Sequence, residues 1–103
     1  MTMAEVVSIG DLEGTPHANV FPDAEPKTIR LTLDAGEAVA AHDHPDREIV
    51  LYLIEGAIEL TLDDEEYDLS AGDIVRFDGR REVSPRAIEP SVALIVLAER
   101  SSD

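Results

Sequence analysis

The stretch HDHPDRE, residues 42–48, places two histidines one residue apart. Imidazole is a frequent metal ligand, and side chains alternate across a strand, so a His-x-His pair on extended chain turns both rings to one side. Two converging imidazoles can hold a divalent ion, or they can line a polar pocket as hydrogen-bonding groups. The chain has no cysteine, which removes disulfides and thiolate chemistry. Ser8, Ser70, Ser84 and Ser91 have no histidine in a fixed sequence context, and there is no glycine-rich phosphate loop. The chemistry therefore centres on His42 and His44.

Other residues have weaker claims. Arg76, Arg80, Arg81 and Arg86 crowd into one stretch of a chain that has few basic residues. Arg76 alternates in phase with Ile74 and Asp78. Facing into a barrel, its guanidinium would hold a ligand carboxylate as a fork; facing out, it would pair with surface acids, which is the plainer reading. Tyr52 shares its phase with Glu48, Val50 and Ile54, and reads as a pocket phenol or as packing. The DDEE run at 63–66 lacks the glycine and spaced oxygens of a calcium loop, and reads as a solvated hairpin turn.

What positions these residues is legible in the chain as a whole. Its 103 residues suggest one domain. At 44% apolar it should fold, and at 4% aromatic its core must be built from Val, Leu, Ile and Ala. Acids outnumber bases 23 to 8, for a net charge of −15. That field repels nucleic-acid phosphates and anionic membranes. No apolar run approaches the length of a membrane span. The opening MTMAEVVSIGD lacks the basic start and apolar run of a signal peptide, so the expected location is the cytoplasm. Lys27 is the single lysine. High acid content with almost no lysine points to a salt-loaded cytoplasm and a halophilic source.

Helical periodicity is absent, while strand signals recur between Gly, Pro and Asp. The predicted strands are 27–34, 37–42, 48–55, 57–63, 66–70, 73–78, 82–89 and 91–99. Segments 27–34 and 57–63 alternate strictly; 48–55, EIVLYLIE, is apolar on both faces and should be covered on both. Nothing leaves room for crossover helices, so an antiparallel sandwich or barrel is expected. Residues 1–26 read as an arm with an edge strand, 27–99 as the barrel and 100–103 as a tail. Segments 48–55 and 93–98 offer more apolar surface than one small barrel needs, which predicts a homodimer.

Segment 36–56, GEAVAAHDHPDREIVLYLIEG, resembles the first motif of the cupins, with Gly36, His42, His44, Glu48 and Gly56 near the family spacings. Segment 71–89, beginning at Gly72-Asp73, resembles the second. The resemblance implies an all-β jelly-roll barrel. It also implies an interior metal held by three histidines and a glutamate, with His42, His44 and Glu48 as the matching ligands for a divalent ion such as iron, manganese, nickel or zinc. Two positions depart from the pattern. Counted from His44 the acid is Glu48, but counted back from Gly56 it falls on Ile49, so either a local bulge turns Glu48 inward or the acid is missing. The third histidine would fall near position 83, which is Val83. The resemblance thus implies a barrel binding a small molecule in its interior, with Arg76 and Tyr52 as candidate ligand contacts. The alternative is a metal-dependent oxygenase or isomerase using His42, His44 and Glu48.

Overall fold

A computed structural model describes residues 4–100. A short 3-10 turn at Ile9–Asp11 precedes six strands: β1 (His17–Asn19), β2 (Lys27–Leu33), β3 (Arg47–Leu62), β4 (Glu65–Ser70), β5 (Ile74–Asp78) and β6 (Val83–Glu99). Every pairing is antiparallel, in the order β1-β2-β6-β3-β4, with β5 also on β3. The fold is the expected jelly-roll barrel.

Two pairs of predicted strands are single long ones. Segments 48–55 and 57–63 join as β3, and 82–89 and 91–99 join as β6, because the ladder between them continues past Gly56. The first half of β3 and the second half of β6 lie between β2 and β5. The other two halves lie between β4 and the segment around Ala38 and His42, which touches β6 only at isolated bridges. Each long strand thus belongs to both sides of the barrel. The register shifts three times between Leu53 and Ile58, as expected where a strand turns a barrel corner on bulges. Ser91 sits at that corner, 2% exposed. Its hydroxyl accepts from the Ala57 amide (3.1 Å) and donates to the Glu89 carbonyl (2.7 Å), replacing bonds the bulge gives up.

The core follows the alternation. Ile49, Leu51 and Leu53, then Ile58, Leu60 and Leu62, point inward from β3 and join Leu31 and Leu33 of β2, Phe77 of β5 and Leu97 of β6 in one cluster. The outer face of β3 differs from expectation. Val50 and Ile54 are only half-buried and Tyr52 is 39% exposed, so this chain covers EIVLYLIE on one side only.

On β2 the outer face is covered by the N-terminal arm. Arg30 is 7% exposed. Its guanidinium donates to the carbonyls of Ile9 (3.1 Å), Leu12 (3.2 Å) and Gly14 (2.7 Å), while its Nε has no protein partner. A buried cation is costly unless its donors are used; here three backbone dipoles, not a carboxylate, stabilise it.

The remaining arginines serve the surface. Arg47 pairs with Glu25, Arg76 with Glu48, Arg80 and Arg100 with Asp78, Arg81 with Asp63 and Glu65, and Arg86 with Glu59. Hydrogen bonds from Arg80, then from Arg100, hold the Asp78 carboxyl well below the usual carboxylate range. Among the described residues these pairs engage six carboxylates, and with a net charge of −15 the chain repels itself. The melting temperature is expected to rise on the order of 10 °C from dilute buffer to molar KCl, about 1–2 kcal/mol for a domain of this size. Calorimetry at the two salt levels checks this, and equal melting would remove the basis for a halophilic reading.

Candidate functional site

The barrel interior opens at one end into a cavity of about 90 Å³. Its walls are Ile29 and Leu31 of β2, Val39, Ile49 and Leu51 of β3, Phe77 of β5, and Val83, Pro85, Ile95 and Leu97 of β6. Among the described residues, the polar ones that line it are His17, His42 and His44, which are all the histidines in the chain.

His42 and His44 are held by an irregular edge. The Val39 amide bonds to the Pro85 carbonyl (3.0 Å), the Val83 amide to the His42 carbonyl (2.8 Å), and the His44 amide to the Gly79 carbonyl (2.6 Å). Two residues apart on extended chain, both rings face the cavity, with centroids 5.0 Å apart and planes at 89°. The His42 Nδ1–H donates to the Ala40 carbonyl at 2.8 Å. A carbonyl can only accept, so in the neutral ring Nε2 is left as the lone-pair nitrogen.

His17 reaches the same cavity from the arm. Strand β1 pairs with β2 so that His17 lies opposite Leu31, whose side chain points inward. Sequence reasoning missed this residue. The one signal was that it is the only other histidine, and its placement depends on a three-residue pairing that no periodicity announces. Burial, then the neighbouring His42, lowers the His17 pKa. His44 is lowered by burial, then by His42, Lys27 and Arg47, against Asp43, which raises it. Both rings are therefore neutral near pH 7.

The other expected site residues lie elsewhere. The β3–β6 register runs unbroken from Arg47 to Leu53, so no bulge turns Glu48 inward. Its carboxylate is on the outer face, 3.0 Å from Arg76 Nη2, and Ile49, 2% exposed, takes the inward place. Arg76 is therefore an outer-face residue, with a side chain 72% exposed, because its strand partner Val50 also points out. Tyr52 shares that face. Val83 bridges directly to His42 and lines the cavity, so the place of the third histidine is filled by an isopropyl group.

These positions test the metal set that the motif resemblance implies. Two of its four ligand positions carry Ile49 and Val83, and aliphatic side chains donate nothing to a metal. Among the described residues, no group of three or more His, Cys, Asp or Glu side chains is placed to hold a metal ion. The four-ligand set does not fit.

An antiparallel jelly-roll barrel with an apolar interior and imidazoles at its mouth is the architecture of the cupin class. The chain belongs to the cupin domain family, whose Cupin_2 model matches residues 29–97. Its fold is similar to that of KdgF from Halomonas sp., at 21% identity over 99% of this chain and 98% of that one, with a TM-score of 0.80. The TT1209 protein of Thermus thermophilus is similar at 23% identity, over 95% and 100% of the two chains, with a TM-score of 0.81. A predicted oxalate decarboxylase from Thermotoga maritima is similar at 18% identity, over 82% and 79%, with a TM-score of 0.73. At these identities the likeness speaks for the fold alone. No curated protein matches the sequence. Among the described residues, no helix is long and apolar enough to cross a membrane.

Proposed function

We propose that this cupin binds a small molecule inside its barrel and carries no resident metal. The observation that supports this most directly is the pair Ile49 and Val83. Both line the cavity where the resemblance calls for an acid and a histidine, which leaves His42 and His44 as pocket imidazoles. The apolar cavity with a polar rim is the usual form of a ligand site. At about 90 Å³ it suits a molecule of a few heavy atoms. Purified without chelator, the protein is expected to hold less than about a tenth of an equivalent of iron, manganese, nickel or zinc, and His42→Ala is expected to leave that content and the stability unchanged. Half an equivalent or more, lost in His42→Ala, would replace this reading with a metal-dependent oxygenase or isomerase.

The same reading includes a homodimer through the outer face of β3, β5 and β6. Tyr52 lies opposite Leu94 on β6 and Ile74 on β5, and Val50 lies opposite Val96. These side chains make a continuous apolar strip on a chain of charge −15. A second copy can cover it by stacking sheet on sheet. Light scattering in molar KCl is expected to give twice 11.2 kDa, and 11.2 kDa for Tyr52→Asp. A wild-type monomer at that salt would end the dimer proposal.

A further inference from the structure

The opening of the barrel gathers the histidines and the single lysine of a chain that is otherwise strongly acidic. All three histidines surround it. Lys27, the only lysine, lies opposite Leu97 in the β2–β6 register and in phase with Ile29 and Leu31, all three of which line the cavity, and it stands beside Arg47. Arg47 is already committed, with its guanidinium 2.7 Å from Glu25 and 2.9 Å from the Leu97 carbonyl. Lys27 makes no ion pair among the described residues. The His42 N–H is spent on Ala40, whereas no such bond engages the His17 or His44 ring among the described residues. The rim therefore offers free N–H donors at His17 and His44 and an ammonium at Lys27.

Below the rim, the ten non-histidine lining residues are all apolar. A sugar or other polyhydroxylated compound would lose its hydrogen bonds there with nothing in return. A short hydrocarbon tail would gain by leaving water. The cavity volume of about 90 Å³ is roughly three waters' share of liquid volume, room for a tail of about three or four carbons.

We propose that the barrel takes a small aliphatic monocarboxylate, its tail in the cavity and its carboxylate at the rim of His17, His44 and Lys27. This rests on the reading of the barrel interior as a small-molecule site. The carboxylate accepts hydrogen bonds from the imidazoles and faces the ammonium, which makes those bonds charge-assisted. An amine of the same size meets Lys27 and is repelled. Against the repulsion of the whole chain, the Lys27 ammonium supplies the local attraction for the carboxylate, and the neutral imidazoles supply hydrogen bonds.

The test is a titration followed by the methyl NMR signals of Leu31, Ile49 and Val83. Butyrate, 1-butanol and butylammonium serve as probes of one tail length with three head groups, at constant ionic strength. Butyrate is expected to saturate, with butanol about tenfold or more weaker and butylammonium weaker still. Lys27→Ala and His44→Gln are each expected to weaken butyrate about tenfold while leaving butanol unchanged. If butanol or butylammonium binds as well as butyrate, the carboxylate class is wrong and the interior site stands. If both variants bind butyrate as the wild type does, the rim assignment is wrong. If no probe moves the methyl signals at tens of millimolar, the interior site itself falls.

Discussion

Val83→His is expected to give the barrel a retained divalent metal ion. Position 83 bridges directly to His42 across the ladder, and directly opposed residues on antiparallel strands hold their Cβ atoms about 5 Å apart. A third imidazole there joins two whose centroids are already 5.0 Å apart, and three protein ligands are what an open metal site requires. Val83 is 6% exposed, so the larger ring costs about 1–3 kcal/mol in the absence of metal. Nickel or zinc at a hundred times Kd returns about 2.7 kcal/mol, which raises the melting temperature of the variant by about 10 °C or more. Wild type is expected not to shift, and His42→Ala in the variant background is expected to abolish the shift. A folded Val83→His protein indifferent to millimolar metal would show that the two edges do not converge as described.

The largest stability effect is expected at Gly56. Its φ is +95°, a region costly for a side chain, and an added Cβ would run into Ser91 Oγ and the Pro90 carbonyl and lie 2.7 Å from Ser91 Cα. Backbone cannot swing aside as a long side chain can, so Gly56→Ala carries both the conformational cost and the overlap. We expect a loss of at least about 3 kcal/mol, a fall of roughly 15 °C in melting temperature. Gly72 separates the two contributions. Its φ is +98° but nothing lies within 4 Å of an added Cβ, so Gly72→Ala is expected to cost only about 1–2 kcal/mol. Equal losses at the two positions in denaturant unfolding would mean that the close crossing at the barrel corner is not what Gly56 serves.

The parts of the fold that were legible are those where one face is buried and one is wet. Segment 57–63 alternates because the second half of β3 has a single inward face, and 27–34 alternates because the outer face of β2, though covered, is polar at Thr28 and Arg30. The joins at Gly56 and Pro90 were not legible, since a glycine and a proline read as strand ends wherever bulges do not carry the ladder on. The choice between Glu48 and Ile49 turned on parity. Sequence spacing could frame it, but only an unbroken register from Arg47 to Leu53 decides it. The outward pairing of Arg76 was legible as the plainer reading, because the chain is rich in acids. His17 was not, because its position comes from a tertiary pairing and from an arm held by Arg30.

That arm is expected to respond to added salt differently from the rest of the surface. Ion pairs at a wet surface fade as the Debye length shrinks to a few ångströms, and six of the seven arginines are in such pairs. Arg30 is fastened differently, by hydrogen bonds to three carbonyls, and is only 7% exposed. The strap that carries His17 to the cavity is therefore insulated from the medium, and the rim keeps its third imidazole at ionic strengths that loosen the pairs around it.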